Sequence, residues 1–135
     1  MRIFYKKGYK YQLAESYSQI TNLYPGSLIH TEYIQLTLSG VLTIKEGYAW
    51  DGPSGPTIDT KNFMRGSLVH DALYQLIRLG YLPPHAKEDA DNLLYSMCLE
   101  DGMSTIRASW VRLCVQVGGG SAILPEAEPE VLEAP

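Results

Sequence analysis

The chain has 135 residues, of which 45% are apolar and 19% charged, the make-up of one soluble domain with its own core rather than of a disordered or fibrous chain. No apolar run reaches the ~20 residues of a transmembrane helix, which excludes a helical membrane span. The net charge of −4 belongs to the C-terminal end: without Glu126, Glu128, Glu130 and Glu133, the eleven remaining acids match eleven Lys and Arg, so the body carries no basic footprint for nucleic acid.

Residues 1–7 are not followed by the continuous apolar stretch of a secretory signal, so the chain is expected to stay in the compartment where it is made. Residues 2–5 and 9–13 are weak strand candidates. Tyr24-Pro25-Gly26-Ser27 reads as a turn. Residues 33–38 and 41–45 are alternating, β-branched runs, and Ser39-Gly40 between them fits a tight hairpin turn. A Pro/Gly-rich loop follows, with Trp50-Asp51-Gly52-Pro53-Ser54-Gly55-Pro56 at its centre.

The second half predicts three helices. The first covers about residues 62–79, capped by Asp59 or Thr60 and ended by Gly80, with Val69, Ala72, Leu73, Leu76 and Ile77 as its buried stripe. The second covers about residues 84–100, with proline in its first turn and Gly102 past its end. Its inner face is Ala90, Leu93, Leu94, Met97 and Cys98. In the third, about residues 104–117, Met103, Ile106, Trp110, Leu113, Cys114 and Val117 recur at helical spacing, and Gly118-Gly119-Gly120 stops it. Cys98 and Cys114 read as small buried hydrophobes, and the absence of a Cys-x-x-Cys pair argues against a thiolate zinc site. Residues 121–135 read as a disordered acidic tail. The expected fold is α+β: one domain over residues 1–120, a small antiparallel β region followed by three helices, the first two antiparallel and carrying the site described next.

That site starts from Val69-His70-Asp71-Ala72-Leu73-Tyr74. Tyr74 lies one turn past His70, so ring and phenol can meet. Asp91 lies on the inward side of the second helix and, with antiparallel packing, can accept the ring N–H of His70. A carboxylate that fixes the tautomer of a histidine makes the other ring nitrogen, expected here to face solvent, a general base. Asp71 is rotated by roughly 100° from His70 and needs its own partner. A hard cation such as calcium, held by a carboxylate and loop carbonyls, is one candidate, with Asp51 and Asp59 as further ligands. The alternative is a hydrogen-bonded His–Asp–Tyr network that only ties a loop to two helices. Two other metal chemistries lack their residues: His-Glu-x-x-His is absent, and only His30 and His85 remain to supplement a His-Asp phosphohydrolase pair.

The segments Gly47–Pro56, Leu68–Tyr74 and Ala90–Tyr95 together resemble a family of small phage and prophage proteins of unknown function, over about residues 28–118. The same core is similar to the phospholipase A₂ motif: a glycine-rich calcium loop, His-Asp-x-x-Tyr on a helix, and an aspartate on the following antiparallel helix. By that resemblance His70 is the general base, Tyr74 and Asp91 orient it, and Asp71 binds calcium with backbone oxygens of Trp50, Gly52 and Gly55. Gly66, Ser67 and Leu73 stand where the secreted enzymes carry cysteines, and the loop lacks their Gly-x-Gly-Gly run. The resemblance implies a viral setting, in the virion or the host cytoplasm, and a membrane lipid as substrate. The rival expectation is a non-enzymatic virion or tail component that docks on phage structural proteins.

Deleting residues 121–135 is expected to leave the melting temperature nearly unchanged. A drop of several degrees in a thermal melt would mean that the segment packs on the body or on a partner.

Overall fold

A computed structural model describes residues 3, 5–6, 11–50 and 61–118. Among the described residues, seven short strands precede three helices: β1 (Tyr5–Lys6), β2 (Tyr11–Leu13), β3 (Tyr17–Ile20), β4 (Ile29–His30), β5 (Ile34–Leu36), β6 (Val41–Ile44), β7 (Ala49–Trp50), α1 (Lys61–Arg78), α2 (Ala86–Glu100) and α3 (Thr105–Gly118). The α+β class expected from the sequence is the one observed. The expected cap residues Asp59 and Thr60, loop residues 51–59 and tail 121–135 lie outside the described residues.

All strand pairings are antiparallel, in two sheets ordered β1-β2-β7 and β3-β6-β5-β4. The expected hairpin is β5–β6, with Leu36 opposite Leu42 and Ile34 opposite Ile44. Alternation along these strands sends all four side chains to one face, where they are fully buried. Strand β1 overlaps the first weak candidate at Tyr5, and β2 falls within the described part of the second. Strands β3, β4 and β7 have no counterpart in the sequence reading. At two to four residues each, they carry too little alternation to stand out, and their register is set by their partners. Through β7 the chain leaves the larger sheet and pairs with β2, setting Trp50 opposite Tyr11.

Helix α1 is the hub of the core. Thirteen of its eighteen residues are buried, so it is covered on several sides rather than along one stripe. Leu68, Val69, Ala72, Leu73, Leu76 and Ile77 join Leu13, Ile34, Leu36, Leu42, Ile44 and Trp50 in one cluster. A second cluster, of Phe63, Leu94, Cys98, Met103, Ala108 and Val111, joins the start of α1 to α2 and α3. Burial pushes the Cys98 thiol up to about 12, so it packs as a hydrophobe.

Both helix ends that close this bundle are Schellman turns. Gly80 (φ 85°) and Gly102 (φ 96°) take the left-handed conformation. The amides of Tyr81 and Met103 reach back to the carbonyls of Leu76 and Cys98. Helices α1 and α2 run antiparallel: Arg65 meets Glu100 and Asp101, Gly66 lies against Leu94 and Cys98, and His70 meets Asp91.

Two expectations for the helices are corrected. The core face of α3 is Ala108 and Val111, whereas Ile106, Trp110, Leu113 and Val117 are exposed. Small side chains let α3 lie close to α2, which turns its larger residues outward. Cys114 is consequently only half-buried, unlike Cys98.

At Gly66 helices α1 and α2 pack closely. A Cβ there would lie 2.9 Å from Leu94 Cδ1 and 3.4 Å from Cys98 Sγ. Gly66→Val should therefore wedge the helices apart and destabilise the domain by about 1–3 kcal/mol, measured as a lower denaturant midpoint. An unchanged midpoint would show that the gap is loosely packed.

Candidate active site

The centre of the site is Asp91, whose side chain is fully buried on α2. A bare carboxylate in that position would be costly, and three donors satisfy it. His70 Nε2 lies 2.7 Å from Oδ1, and the Tyr74 hydroxyl donates to the same oxygen at 2.6 Å. Lys87 Nζ donates to Oδ2 at 2.8 Å. Burial pushes the Asp91 carboxyl upward, but hydrogen bonds from His70, Lys87 and Tyr74 together hold it below the ordinary carboxylate range.

The helical repeat explains the convergence. His70 and Tyr74 are one turn apart on α1, and their rings meet in a tilted contact with centroids 4.0 Å apart. Lys87 and Asp91 are one turn apart on α2. Antiparallel packing then turns the two pairs toward each other. Burial raises the Tyr74 phenol, and the hydrogen bond to Asp91 and the charges of Asp91 and Asp71 raise it further, so the hydroxyl stays a donor.

An ionised carboxylate only accepts hydrogen bonds, so Asp91 assigns the proton of a neutral His70 to Nε2. Nδ1 is then the basic nitrogen, and no described residue bonds to it. Lys87 supplies the counter-charge for Asp91, so the carboxylate does not depend on an imidazolium for balance. His70 exposes 7% of its surface, so it is buried and lacks the solvent-facing nitrogen expected from the sequence. A cavity of about 630 Å³ borders the 22–29 segment and the α1–α2 turn, and it is lined by none of His70, Asp71, Tyr74 or Asp91.

Asp71 is half-buried on the next helical position and takes part in an interaction of its own. Its charge is felt at the Tyr74 phenol, which places it close to the site. Trp50 ends β7, and its indole Nε1 donates at 3.1 Å to Ser67 Oγ, which in turn donates to the Met64 carbonyl. This bond brings the strand end to α1 one turn before His70. Gly52 and Gly55 lie outside the described residues. Among the described residues, no three His, Cys, Asp or Glu side chains gather as a metal cluster.

Two features were missed in the sequence. Lys87 was overlooked although its four-residue spacing from Asp91 was visible. Its ammonium also reaches the carbonyls of Val115 and Gln116 at the end of α3, at 3.2 and 3.4 Å, where the helix dipole favours a cation. Arg65 is buried with a bidentate pair to Asp101, a 2.7 Å contact to Glu100 and another to the Tyr17 hydroxyl. Side-chain bonds to Asp101 raise its already high pKa and keep it charged.

The chain matches no protein-family model, no curated protein and no solved structure.

Because the Asp91 carboxyl is depressed in the folded state, its stabilisation is complete above the unfolded value near ~3.9 and is lost as pH falls through the folded value. Acid titration of stability should therefore show a loss below about pH 4 that is reduced in Asp91→Asn. Asp91→Ala, which strands Lys87 and two buried donors, is expected to cost about 3–5 kcal/mol in chemical denaturation. A cost below about 1 kcal/mol would contradict the network's role.

Proposed function

We propose that this chain is a phage- or prophage-encoded accessory protein whose His70 site hydrolyses lipid esters with calcium, in the manner of phospholipase A₂. One observation carries the reading: a buried carboxylate holds His70 Nε2 at 2.7 Å and Tyr74 at 2.6 Å through one oxygen, leaving Nδ1 as proton acceptor. The bonded partners are the ones the motif resemblance names.

In the reaction, the oxygen of a water bonds to the ester carbonyl carbon as His70 Nδ1 takes one of its protons. Collapse of the tetrahedral intermediate breaks the bond to the alcohol oxygen, which receives that proton from Nδ1. The products are a free fatty acid and a lysolipid, and His70 returns to its starting state. Asp91 and Tyr74 keep the ring oriented throughout, and Asp91 stabilises its transient charge. Asp71 is the carboxylate ligand for calcium under this reading, with Trp50, Gly52 and Gly55 as backbone ligands. Its half-buried place beside the site suits a hard oxygen donor. When bound, calcium polarises the ester carbonyl and stabilises the oxyanion.

A second reading, a non-enzymatic virion or tail docking component, is favoured by the third bond to Asp91. Lys87 links that carboxylate to the end of α3, so the same network ties three helices together as a scaffold would need.

Release of fatty acid from phospholipid vesicles separates the two. The hydrolase reading expects calcium-dependent release by the wild type, abolished by chelation and lowered about 10²–10⁴-fold in His70→Ala. Wild-type release no greater than that of His70→Ala, with His70→Ala merely less stable, would leave the docking reading. Absence of the protein from purified particles would count against that one.

A further inference from the structure

We infer that the outer face of α3 pairs antiparallel with the same helix of a second copy. Helix α3 packs on α2 through Ala108 and Val111, with Val115 partly buried beside them. Its opposite side carries Ile106 (85% exposed), Trp110 (49%), Leu113 (50%) and Val117 (77%). A helix that is apolar on two opposite faces is expected to be covered on both.

The spacing identifies the kind of cover. Residues 106, 110, 113 and 117 follow each other at intervals of four, three and four, the seam of a two-stranded coiled coil rather than the broader stripe of a core helix. The order reads the same in both directions. Reversing one copy about the midpoint between Trp110 and Leu113 sets Trp110 against Leu113 and Ile106 against Val117. Each large side chain then meets a smaller one, and each contact occurs twice, as a two-fold interface requires.

Charge selects the antiparallel direction. The helix contains Arg107 and Arg112 and no acid, so a parallel pair would align both like charges and like dipole ends, whereas reversal opposes the dipoles. Arg112 is drawn away from the seam by the Tyr95 ring, 4.2 Å from the ring centroid. Two such stripes in contact cover on the order of 1,000 Å², the lower limit for a specific interface, which fits a reversible dimer. This inference does not depend on the hydrolase reading.

Sedimentation velocity over a range of concentrations tests it. Wild-type chain is expected to pass from monomer to dimer as concentration rises into the hundreds of micromolar. Trp110→Glu and Leu113→Glu should remain monomeric throughout, with unchanged circular dichroism and melting at low concentration, because both side chains are exposed in the monomer. On a Cys114→Ser background, a mixture of Ser109→Cys and Gln116→Cys chains should oxidise to a covalent heterodimer, since reversal sets these flanking positions side by side. A wild type that stays monomeric, a glutamate variant that still dimerises, or a dimer that gives no such cross-link would each overturn the proposal.

Discussion

The fully buried carboxylate of Asp91 is the interaction on which the arrangement of the helices depends. It is tolerable only while three donors surround it, and those donors come from two helices. Helix α1 must present His70 and Tyr74 at one level, and α2 must present Lys87 one turn before Asp91. Lys87 then extends the demand to α3 by holding its terminal carbonyls. A slip of one helical turn between α1 and α2 would strip the buried carboxylate of His70 and Tyr74 and leave it Lys87 alone, so the carboxylate favours one register of the pair.

Two further polar contacts hold the frame around that register. At the other end of the α1–α2 pair, buried Arg65 meets Asp101, Glu100 and the Tyr17 hydroxyl, which connects strand β3 to both helices. On the sheet side, the Trp50–Ser67 bond fixes the end of β7 to α1. Apolar packing supplies the bulk of the cohesion between these points: Ile34, Leu36, Leu42 and Ile44 from the larger sheet and Leu68, Leu73 and Leu76 from α1 are all fully buried. The same bonds that stabilise the fold also orient one imidazole, which is why scaffold and catalytic readings share the same residues.

The parts legible in the sequence are those with long periodic signals. The three helices begin and end within about two residues of their expected limits, and Gly80 and Gly102 end the first two by backbone conformation rather than by tertiary context. The β5–β6 hairpin was legible from its alternation. Strands β3, β4 and β7 were not, since two to four residues gain their geometry from the strands beside them. His70, Tyr74 and Asp91 could be grouped because each lies on a helix whose inward face was readable. Lys87 was passed over because a lysine beside Glu88 and Asp89 looks like ordinary surface charge. The apolar spacing of α3 was visible as well, but periodicity does not say which face is the core: small Ala108 and Val111 took that place and left Ile106 and Trp110 outside.

The central claim is that Asp91 holds the proton of His70 on Nε2 and leaves Nδ1 as the base. Long-range ¹H–¹⁵N correlation of the imidazole at about pH 8, above the ordinary histidine range, reads this directly. The account predicts that the neutral ring carries its proton on a strongly hydrogen-bonded Nε2 and leaves Nδ1 unprotonated. A neutral ring with its proton on Nδ1 would contradict it.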